Sequence, residues 1–463
     1  MRDLGQPFDV LVIGGGNAGL CAAISARRAG ARVRLLESAT QDFRAGNSRH
    51  TRDIRYMHRA ATSYVTGAYD EEEFWEDLRQ VTGGETNERL ARLTIQASED
   101  LEQWTTLNGV RWQKPLRGTL HLARSNLFML GGGKAMMNAY YHTASKLGVE
   151  IAYESEVHEL TVHNGEFISA ACSGGEREVR AKTIVVASGG FEANIPWLKE
   201  IWGDAADNFI IRGTRQNQGQ MLKELLKHGA QPIGDPRGCH AVALDGRAPK
   251  FDGGIVTRLD SVPFGIVVNK EVMRFYDEGE DFWPKRYAIW GGLIARQPDQ
   301  IAYSIVDANG LPHFMPSVFP PVEADSIPEL AAALGLDPAR LMAVVNEFNR
   351  AARPGVFDLG RLDGCRTDGL DPPKSHWARP IDTPPYYGYP LRPGITFTYL
   401  GVTVDEKARV IMQDQRPAKN IFAAGEVMAG NILRRGYLAG FGLTIGTVFG
   451  RIAGREAAHH ARS

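Results

Sequence analysis

The sequence has few of the features that mark membrane, metal-binding or nucleic-acid-binding proteins. It contains no uninterrupted apolar run of about 18 residues, so no transmembrane helix is predicted. Its four cysteines lie far apart and form no CxxC pair, so neither an iron–sulfur cluster nor a zinc site held by this chain is expected. The formal net charge is −1, which predicts no basic surface for nucleic acid. The first apolar run follows the N-terminus without a signal peptide, which predicts a bacterial cytoplasmic location.

Length and composition indicate a globular protein of two or three domains. The chain has 463 residues, of which 43% are hydrophobic and 23% charged. Residues 1–232 and 386–463 contain apolar runs that end in glycine, whereas residues 233–385 are rich in Pro, Trp and Asp. We therefore predict a discontinuous α/β domain, 1–232 and 386–463, that is interrupted by an inserted second domain, 233–385.

The N-terminal segment has the pattern of a dinucleotide-binding strand–turn–helix. An apolar run over residues 8–13 is followed by Gly14, Gly16 and Gly19, which fit the G-x-G-x-x-G spacing. The glycines allow a tight turn, a close approach of a pyrophosphate and close helix packing, and the helix that opens at Asn17 and Ala18 directs its N–H groups at the anion. A second apolar run ends in Glu37, where a ribose hydroxyl would be bound. This pattern does not distinguish FAD from NAD.

Other candidate cofactor residues lie near the ends of apolar runs. A polar stretch after Glu37 includes glycine, amide and hydroxyl groups that could contact a cofactor. The alternative interpretation of this stretch is a solvated loop. A C-terminal glycine-rich segment precedes a long predicted helix, whose dipole could face an anionic group. The further cofactor candidates are Gly46, Asn47, Ser48, Val157, Ala187, Gly189, Gly190, Gly425, Glu426, Gly442, Leu443 and Thr444.

These segments together resemble the flavoprotein family of fumarate reductases, succinate dehydrogenases and 3-ketosteroid dehydrogenases. The resemblance rests on residues 12–37, 46–48, 187–190 and 424–426 with the final helix. Within the family, residues 46–52, 274–281 and 436–440 are most similar to the FAD-dependent tricarballylate dehydrogenases.

The resemblance implies a Rossmann-like, glutathione-reductase-like FAD-binding domain with an inserted α+β capping domain and an active site between them. It also implies that Glu37 holds the adenosine ribose of FAD and that the loop at Gly46 runs toward the flavin. In covalent members of the family a nearby histidine is joined to FAD. His50 is shifted by one position from it, so we expect non-covalent FAD.

The resemblance also implies hydride transfer between a substrate carbon and flavin N5, with a side chain exchanging a proton at the neighbouring carbon. In fumarate reductases this side chain is an arginine downstream of an Arg-Phe segment. Here Arg274 and Phe275 mark that segment, and Arg286 is the candidate. An arginine pKa above about 12 makes it a poor base, so a carboxylate would have to relay the proton: Glu278, Glu280 or Asp281. The alternative for Arg286 is a surface ion pair.

Five residues are candidates for binding substrate. The family implies cations for substrate carboxylates, and a threonine stands where a second family histidine is expected, which weakens fumarate or succinate as the substrate. The candidates are His240, Arg434, Arg435, Thr396 and Tyr437.

The leading hypothesis is an FAD-dependent dehydrogenase that forms or reduces a C=C bond in a small polycarboxylate, with tricarballylate to cis-aconitate as the expected reaction. A separate electron-transfer partner is expected, and a membrane iron–sulfur and haem protein is implied by the tricarballylate system. Two other enzymes stay open: a 3-ketosteroid-type dehydrogenase with Tyr399 or Tyr437 as acid–base groups, and a fumarate-reductase-like enoate reductase. A flavin-binding subunit without its own substrate is the non-enzymatic alternative.

Overall fold

The computed structural model describes residues 7–115, 122–175, 177–353 and 355–463. The chain divides into two compact units. The first unit comprises Met1–Trp197, Gly213–Cys239 and Phe397–Ser463, and the second comprises Leu198–Arg212 and His240–Thr396.

The described residues form strands of two to thirteen residues. In chain order they are β1 (Phe8–Ile13), β2 (Val33–Leu36), β3 (Asp53–Arg55), β4 (Asn126–Phe128), β5 (Glu150–Ala152), β6 (Val157–His163), β7 (Glu166–Cys172), β8 (Glu178–Val186), β9 (Ile210–Ile211), β10 (Pro232–Ile233), β11 (Cys239–Asp245), β12 (Ile266–Asn269), β13 (Ala302–Val306), β14 (Val322–Ala324), β15 (Tyr386–Thr398), β16 (Gly401–Val402), β17 (Arg409–Ile411) and β18 (Pro417–Ala423).

The α-helices range from single turns to the long C-terminal helix. They are α1 (Asn17–Arg28), α2 (Glu71–Thr82), α3 (Glu88–Gln96), α4 (Leu101–Leu107), α5 (Leu122–Ser125), α6 (Gly132–Lys146), α7 (Ile195–Trp202), α8 (Gln220–Lys227), α9 (Trp283–Arg286), α10 (Trp290–Ile294), α11 (Ile327–Leu334), α12 (Pro338–Ala351), α13 (Glu426–Ala429) and α14 (Phe441–Arg462).

A parallel sheet organises the first unit. Strands β18, β8, β1, β2 and β5 are neighbours in this order and run parallel. The central strands β1 and β8 are apolar where they pair, as expected of strands buried on both faces. Antiparallel β17, β6 and β7 complete the eight-stranded sheet. The carboxyl ends of the parallel strands therefore meet at one edge, where ligands bind in open α/β sheets.

Helices α1 and α14 pack closely because small residues line their contact. Gly446, Gly450 and Gly454 recur every fourth residue on α14, so they lie on one face. A Cβ at Gly450 would overlap the Ala18 carbonyl oxygen, and one at Gly454 would overlap the Ala22 carbonyl oxygen. This close approach joins the last helix of the chain to the first.

A six-stranded sheet forms the core of the second unit. Its main path is β11, β15, β13 and β12, with β14 and β9 also paired to β15. Helices α11 and α12 pack on this sheet, and their N-caps are Ser326 and Asp337, as the sequence predicts. The cluster between helices and sheet includes Ile266, Val268, Ile305, Leu330, Leu341 and Phe348.

The boundaries of the second unit differ from the predicted range of 233–385. Strand β15 pairs with β13 through residues 387–391, which extends the second unit to Thr396. Strand β9 pairs with the end of β15, so residues 198–212 also belong to this unit. Strand β15 ends at Thr398, and Gly401–Val402 forms the separate strand β16. Long-range pairing sets these limits.

Candidate functional site

The glycine turn after β1 has the close backbone contacts that its spacing predicts. Gly14 has φ +97°, and a Cβ there would overlap the Ala187 carbonyl oxygen at the end of β8. A Cβ at Gly19 would overlap the Gly14 carbonyl oxygen. The turn, helix α1 and strand β8 therefore meet as in a dinucleotide-binding fold.

The backbone is open where a phosphate or ring would approach. The nearest atom to a Cβ at Gly16, the residue before α1, is Ser48 Oγ at 3.7 Å. Gly46 has φ +53° and no atom within 4 Å of its Cβ position. Both glycines leave room for a bound group at this edge, which fits the proposed cofactor contacts.

Glu37 is buried at the end of β2 and is held by neutral donors. Its Oε2 accepts the backbone N–H of Gly15 at 3.1 Å, and its Oε1 accepts that of Ala39 at 2.9 Å. The Tyr141 hydroxyl lies 3.3 Å from Oε2 and donates to the Gly15 carbonyl at 2.9 Å. The carboxylate thus lies against the glycine turn, at the position predicted for ribose binding.

The side chain of Asn17 has a structural role within the first unit. Its Nδ2 donates to the Leu443 carbonyl at 2.9 Å and to Thr447 Oγ1 at 3.1 Å on α14. Its backbone N–H donates to Ser48 Oγ at 3.0 Å. The Asn17 side chain is therefore engaged within the first unit, and backbone contacts of Asn17 and Ala18 with a cofactor stay a prediction.

Asn47 connects the 3₁₀ helix Gly46–His50 to two other segments of the first unit. Its Nδ2 donates to Glu192 Oε1 at 2.5 Å, and its Oδ1 accepts the Thr214 N–H at 2.8 Å. Asn217 Nδ2 donates to the same Glu192 oxygen at 2.6 Å. Glu192 is thus a central residue of the site that the sequence interpretation missed.

The two strand-end motifs at Gly190 and Glu426 meet. A Cβ at Gly190 would overlap Glu426 Oε1 and Thr398 Oγ1, so only glycine fits between them. Glu426 Oε1 accepts the Thr398 N–H at 2.7 Å and its hydroxyl at 3.0 Å. Gly425, at φ +80°, lies against Ala18. The C-terminal motif therefore joins the N-terminal turn, as predicted.

The remaining cofactor candidates have the following places in the first unit. Gly189, at φ +79°, faces Asn217; Ala187 donates its N–H to the Ile13 carbonyl at 2.8 Å; and Val157 is buried at the start of β6.

Several groups at the start of α14 have hydrogen-bond partners within the first unit. The helix begins at Phe441, and the Gly442 N–H donates to the Tyr437 hydroxyl at 2.9 Å. Thr444 Oγ1 contacts the Arg55 and Gly440 carbonyls, and the Leu443 carbonyl accepts from Asn17. The Tyr437 hydroxyl is therefore a partner of the first turn of α14, and the position of this helix dipole against an anionic group stays a prediction.

Arg434 and Arg435 differ in burial and in their hydrogen-bond partners. Arg435 is 65% exposed and lies 3.5 Å from Glu85 Oε1. Arg434 is partly buried, and its Nε is buried without a hydrogen-bond partner among the described residues. Because a buried guanidinium N–H requires an acceptor, Arg434 is the better candidate of the two for a substrate carboxylate.

Arg286 lies at the end of a hydrogen-bonded chain in the second unit. Its Nη2 donates to Glu280 Oε1 at 2.8 Å, and the Tyr276 hydroxyl donates to Glu280 Oε2 at 2.7 Å. Burial, together with Glu280, raises the pKa of Tyr276 to about 12, so the phenol keeps its proton. Glu280 is therefore the relay candidate that contacts Arg286.

The other two carboxylates near Arg286 have separate partners. Glu278 is bound by Arg274 at 2.6 and 3.0 Å and accepts the Val267 N–H at 3.0 Å. Asp281 Oδ1 accepts the Phe282 N–H at 2.6 Å.

His240 is buried in the second unit beside two arginines. Burial, with the charges of Arg212 and Arg258, holds the pKa of His240 well below its usual value. Its ring stacks edge-on with Tyr287 at 5.5 Å. The lowered pKa favours the neutral form of His240, and Arg212 and Arg258 carry positive charge beside it; its part in binding substrate stays a prediction. Thr396 is buried near the end of β15.

The sequence interpretation missed Glu192, Asn217, Arg212, Arg258 and Tyr276. Glu192 had a usable signal, because it stands two residues after a glycine pair at the end of a strand. The arginines had none, since long-range folding brings them to His240.

Two features are absent from the described residues, 7–115, 122–175, 177–353 and 355–463. No helix in this part of the chain is long and apolar enough to cross a membrane. The same residues contain no group of three or more His, Cys, Asp or Glu side chains suited to a metal ion.

The chain is similar to known proteins in sequence and in fold. The sequence model of one family, described as "FAD binding domain", matches residues 9–443. The chain is 24% identical to NADH:fumarate oxidoreductase of Klebsiella pneumoniae over 99% of its own length but only 48% of that protein. It is 27% identical to probable fumarate reductase Ifc3 of Shewanella frigidimarina, over 98% of this chain and 76% of that one.

A solved structure of similar fold is 3-ketosteroid delta1-dehydrogenase from Sterolibacterium denitrificans. Its TM-score is 0.77 at 16% identity, covering 98% of this chain and all of that one. The glycine turn, the acid after β2 and the strand-end motifs occur in one unit, and the family match covers nearly the whole sequence. The chain therefore belongs to the FAD binding domain family, and its relatives include fumarate reductases.

Proposed function

We propose that this protein is an FAD-dependent oxidoreductase that acts on a CH–CH bond next to carboxylates, with tricarballylate and cis-aconitate as its substrate pair. The proposal rests on the hydrogen-bonded chain Arg286–Glu280–Tyr276. Arg286 Nη2 lies 2.8 Å from Glu280 Oε1, and the Tyr276 hydroxyl lies 2.7 Å from Glu280 Oε2. The names of the fumarate-reducing relatives support the reaction class.

The cofactor residues of the first unit fit FAD. Glu37, Gly16 and the turn at Gly46 would hold it, since they combine a carboxylate for a ribose with open backbone for the pyrophosphate and ring. When bound, FAD would supply the hydride acceptor or donor. The residues of this chain bind and orient the reactants and move the proton.

Arg286 suits donation of a proton to a substrate carbon, because its guanidinium is already protonated. For the reverse reaction it has to lose a proton first, and Glu280 is the group placed to accept it. Tyr276 donates to the other oxygen of Glu280, so this carboxylate keeps one orientation. The Arg286–Glu280–Tyr276 chain would supply the proton exchange that this reaction requires.

Positive charge favours a polycarboxylate over a neutral ring. The second unit has Arg212 and Arg258 beside the neutral His240. The first unit has Arg434 with a buried Nε that needs an acceptor. A substrate carboxylate would satisfy the Arg434 Nε–H with a charge-assisted hydrogen bond.

The steroid alternative has less support. Tyr399 and Tyr437 are its candidate acid–base groups, but the Tyr399 hydroxyl donates to the Gly436 carbonyl and the Tyr437 hydroxyl accepts the Gly442 N–H. Both hydroxyls therefore have backbone partners within the first unit. The separate electron-transfer partner and the cytoplasmic location stay predictions.

The test is anaerobic reduction of the bound flavin by tricarballylate, followed by visible absorbance. We expect bleaching in the wild type and a rate at least about a hundredfold lower in Arg286→Gln, with FAD retained. The matched control is Arg296→Gln, an exposed arginine of the same unit, which should react as wild type. Absence of bleaching with every di- and tricarboxylate would refute the substrate class, and an unchanged Arg286→Gln rate would refute its catalytic role.

A further inference from the structure

Two buried glutamates meet in the first unit without a cation between them. Glu192 follows β8 and Glu426 follows β18, and these strands are parallel neighbours, so their carboxyl ends place both side chains at one edge. Glu192 is 0% exposed and Glu426 is 8% exposed. Their carboxyl groups are within hydrogen-bonding reach of each other.

One oxygen of each carboxyl group is already bound by neutral donors. Glu192 Oε1 accepts from Asn47 and Asn217 at 2.5 and 2.6 Å. Glu426 Oε1 accepts from the Thr398 backbone and hydroxyl at 2.7 and 3.0 Å. Glu192 Oε2 is buried, and no described residue donates to it through an N–H or a hydroxyl group.

Two touching buried carboxylates cannot both be charged at low cost. A single proton between them turns the repulsion into a short O–H···O⁻ hydrogen bond. Burial raises the pKa of Glu192, and burial with the charge of Glu192 raises the pKa of Glu426 well above its usual value. The same arrangement gives Glu192 Oε2 the hydrogen-bond partner that it lacks.

We propose that Glu192 and Glu426 share one proton at neutral pH and act together as positioning residues of the FAD-binding unit. The pair orients Asn47, which follows the open turn at Gly46, and Thr398, which adjoins Gly190. It therefore joins four segments that are separate in sequence, at Asn47, Glu192, Thr398 and Glu426, with one negative charge instead of two. This inference does not depend on the substrate, because its test requires no turnover.

The hydrogen-bond donors around the two glutamates predict different outcomes for the single and the double glutamine substitutions. In Glu192→Gln, the amide oxygen keeps Asn47 and Asn217 while the amide nitrogen donates to Glu426. Glu426→Gln works in the same way with Thr398 as donor. In the double variant both amide nitrogens face each other, and two donors meet without an acceptor.

Infrared difference spectroscopy of the FAD-loaded protein at pH 7 tests the shared proton. The wild type should show a protonated carboxyl C=O band that shifts in D₂O and is absent in Glu192→Gln and in Glu426→Gln. The matched control is Glu224→Gln, a buried glutamate of the same unit that lies 3.3 Å from Lys227 Nζ and should keep the band. A wild type without such a band, or single variants that retain it, would overturn the proposal.

Chemical denaturation supplies an independent readout. Each single variant should change the unfolding equilibrium constant little. The double variant should raise that constant by at least about tenfold more than the two single effects combined. In the wild type, stability should fall with a one-proton slope as pH rises above about 4.3, the unfolded glutamate pKa, because the folded pair keeps a proton that the unfolded chain releases. Additive effects, or an unchanged pH slope in the single variants, would contradict the shared proton.

Discussion

The two units of this protein hold the acids of their candidate sites in different ways. In the first unit, Glu37, Glu192 and Glu426 are bound by backbone N–H groups, amides and hydroxyls, all of which are neutral. In the second unit, Glu278 and Glu280 are bound by arginines at 2.6 and 2.8 Å. A third acid there, Asp260, pairs with Arg258 at 2.7 Å.

Under the proposed function, this difference would separate cofactor binding in the first unit from substrate chemistry in the second. Neutral donors orient a carboxylate but leave its charge, so it can bind a sugar hydroxyl or share a proton. Arginines neutralise the acid and keep a cation in a fixed place, which suits anionic substrates and proton exchange. Substitutions that remove the partner of a buried cation should therefore lower the free energy of unfolding most in the second unit. In the first unit, substitutions that disturb close backbone packing should lower it more.

The largest expected effect is loss of the buried Arg274–Glu278 pair. Glu278→Ala leaves Arg274, whose side chain is 6% exposed, without its carboxylate. We expect the free energy of unfolding to fall by about 3–5 kcal/mol, measured by urea denaturation with tryptophan fluorescence.

The control is Asp368→Ala, which removes an exposed partner of Arg353 in the same unit and should have little effect because solvent screens that pair. Equal losses in the two variants would show that arginine pairing in the second unit does not depend on burial.

A smaller effect is expected from the helix contact in the first unit. Gly450→Ala places a methyl group against the Ala18 carbonyl oxygen, so α1 and α14 have to separate. The expected loss is about 1–3 kcal/mol of unfolding free energy, with weaker FAD retention on gel filtration. Gly175→Ala, which meets no atom within 4 Å, should be neutral and serves as the control. A stable Gly450→Ala protein would mean that this helix pair tolerates expansion.

The smallest effect is the pH dependence contributed by His240. Its folded pKa is depressed, so the unfolded chain takes up a proton below about pH 6.5 while the folded one does not. Stability present above that pH should be lost on acidification, by about 1 kcal/mol per pH unit. Denaturation between pH 7 and 5 should show a slope that His240→Gln reduces, with exposed His163→Gln as the control. An unchanged slope in His240→Gln would mean that another group causes the pH dependence.

Local sequence patterns predicted much of the first unit. The apolar runs of β1 and β2, the glycine spacing and the start of α1 at Asn17 are confirmed, because each depends on neighbouring residues. The caps at Ser326 and Asp337 are confirmed for the same reason. Strand β15 was missed, since its Pro390 and Pro393 argue against a strand, and only pairing with β13 and β9 reveals it.

The candidate site was predicted unevenly. Residues next to strand ends, such as Gly190 and Glu426, were found because parallel strands share one edge. Glu192 was missed, since its role depends on Glu426, 234 positions away in the chain. The neutral state of His240 depends on Arg212 and Arg258, which no local pattern joins to it.

The sequence alone determined that the chain forms a dinucleotide-binding turn, because glycine spacing, strand hydrophobicity and the acid at Glu37 are local properties. Only the tertiary structure decided which groups have their charge neutralised, shared or suppressed. Hydrogen bonding and burial depend on residues that folding brings together: Glu280 with Arg286, Glu192 with Glu426, and His240 with two arginines. These contacts set protonation, and protonation determines what each side chain can do.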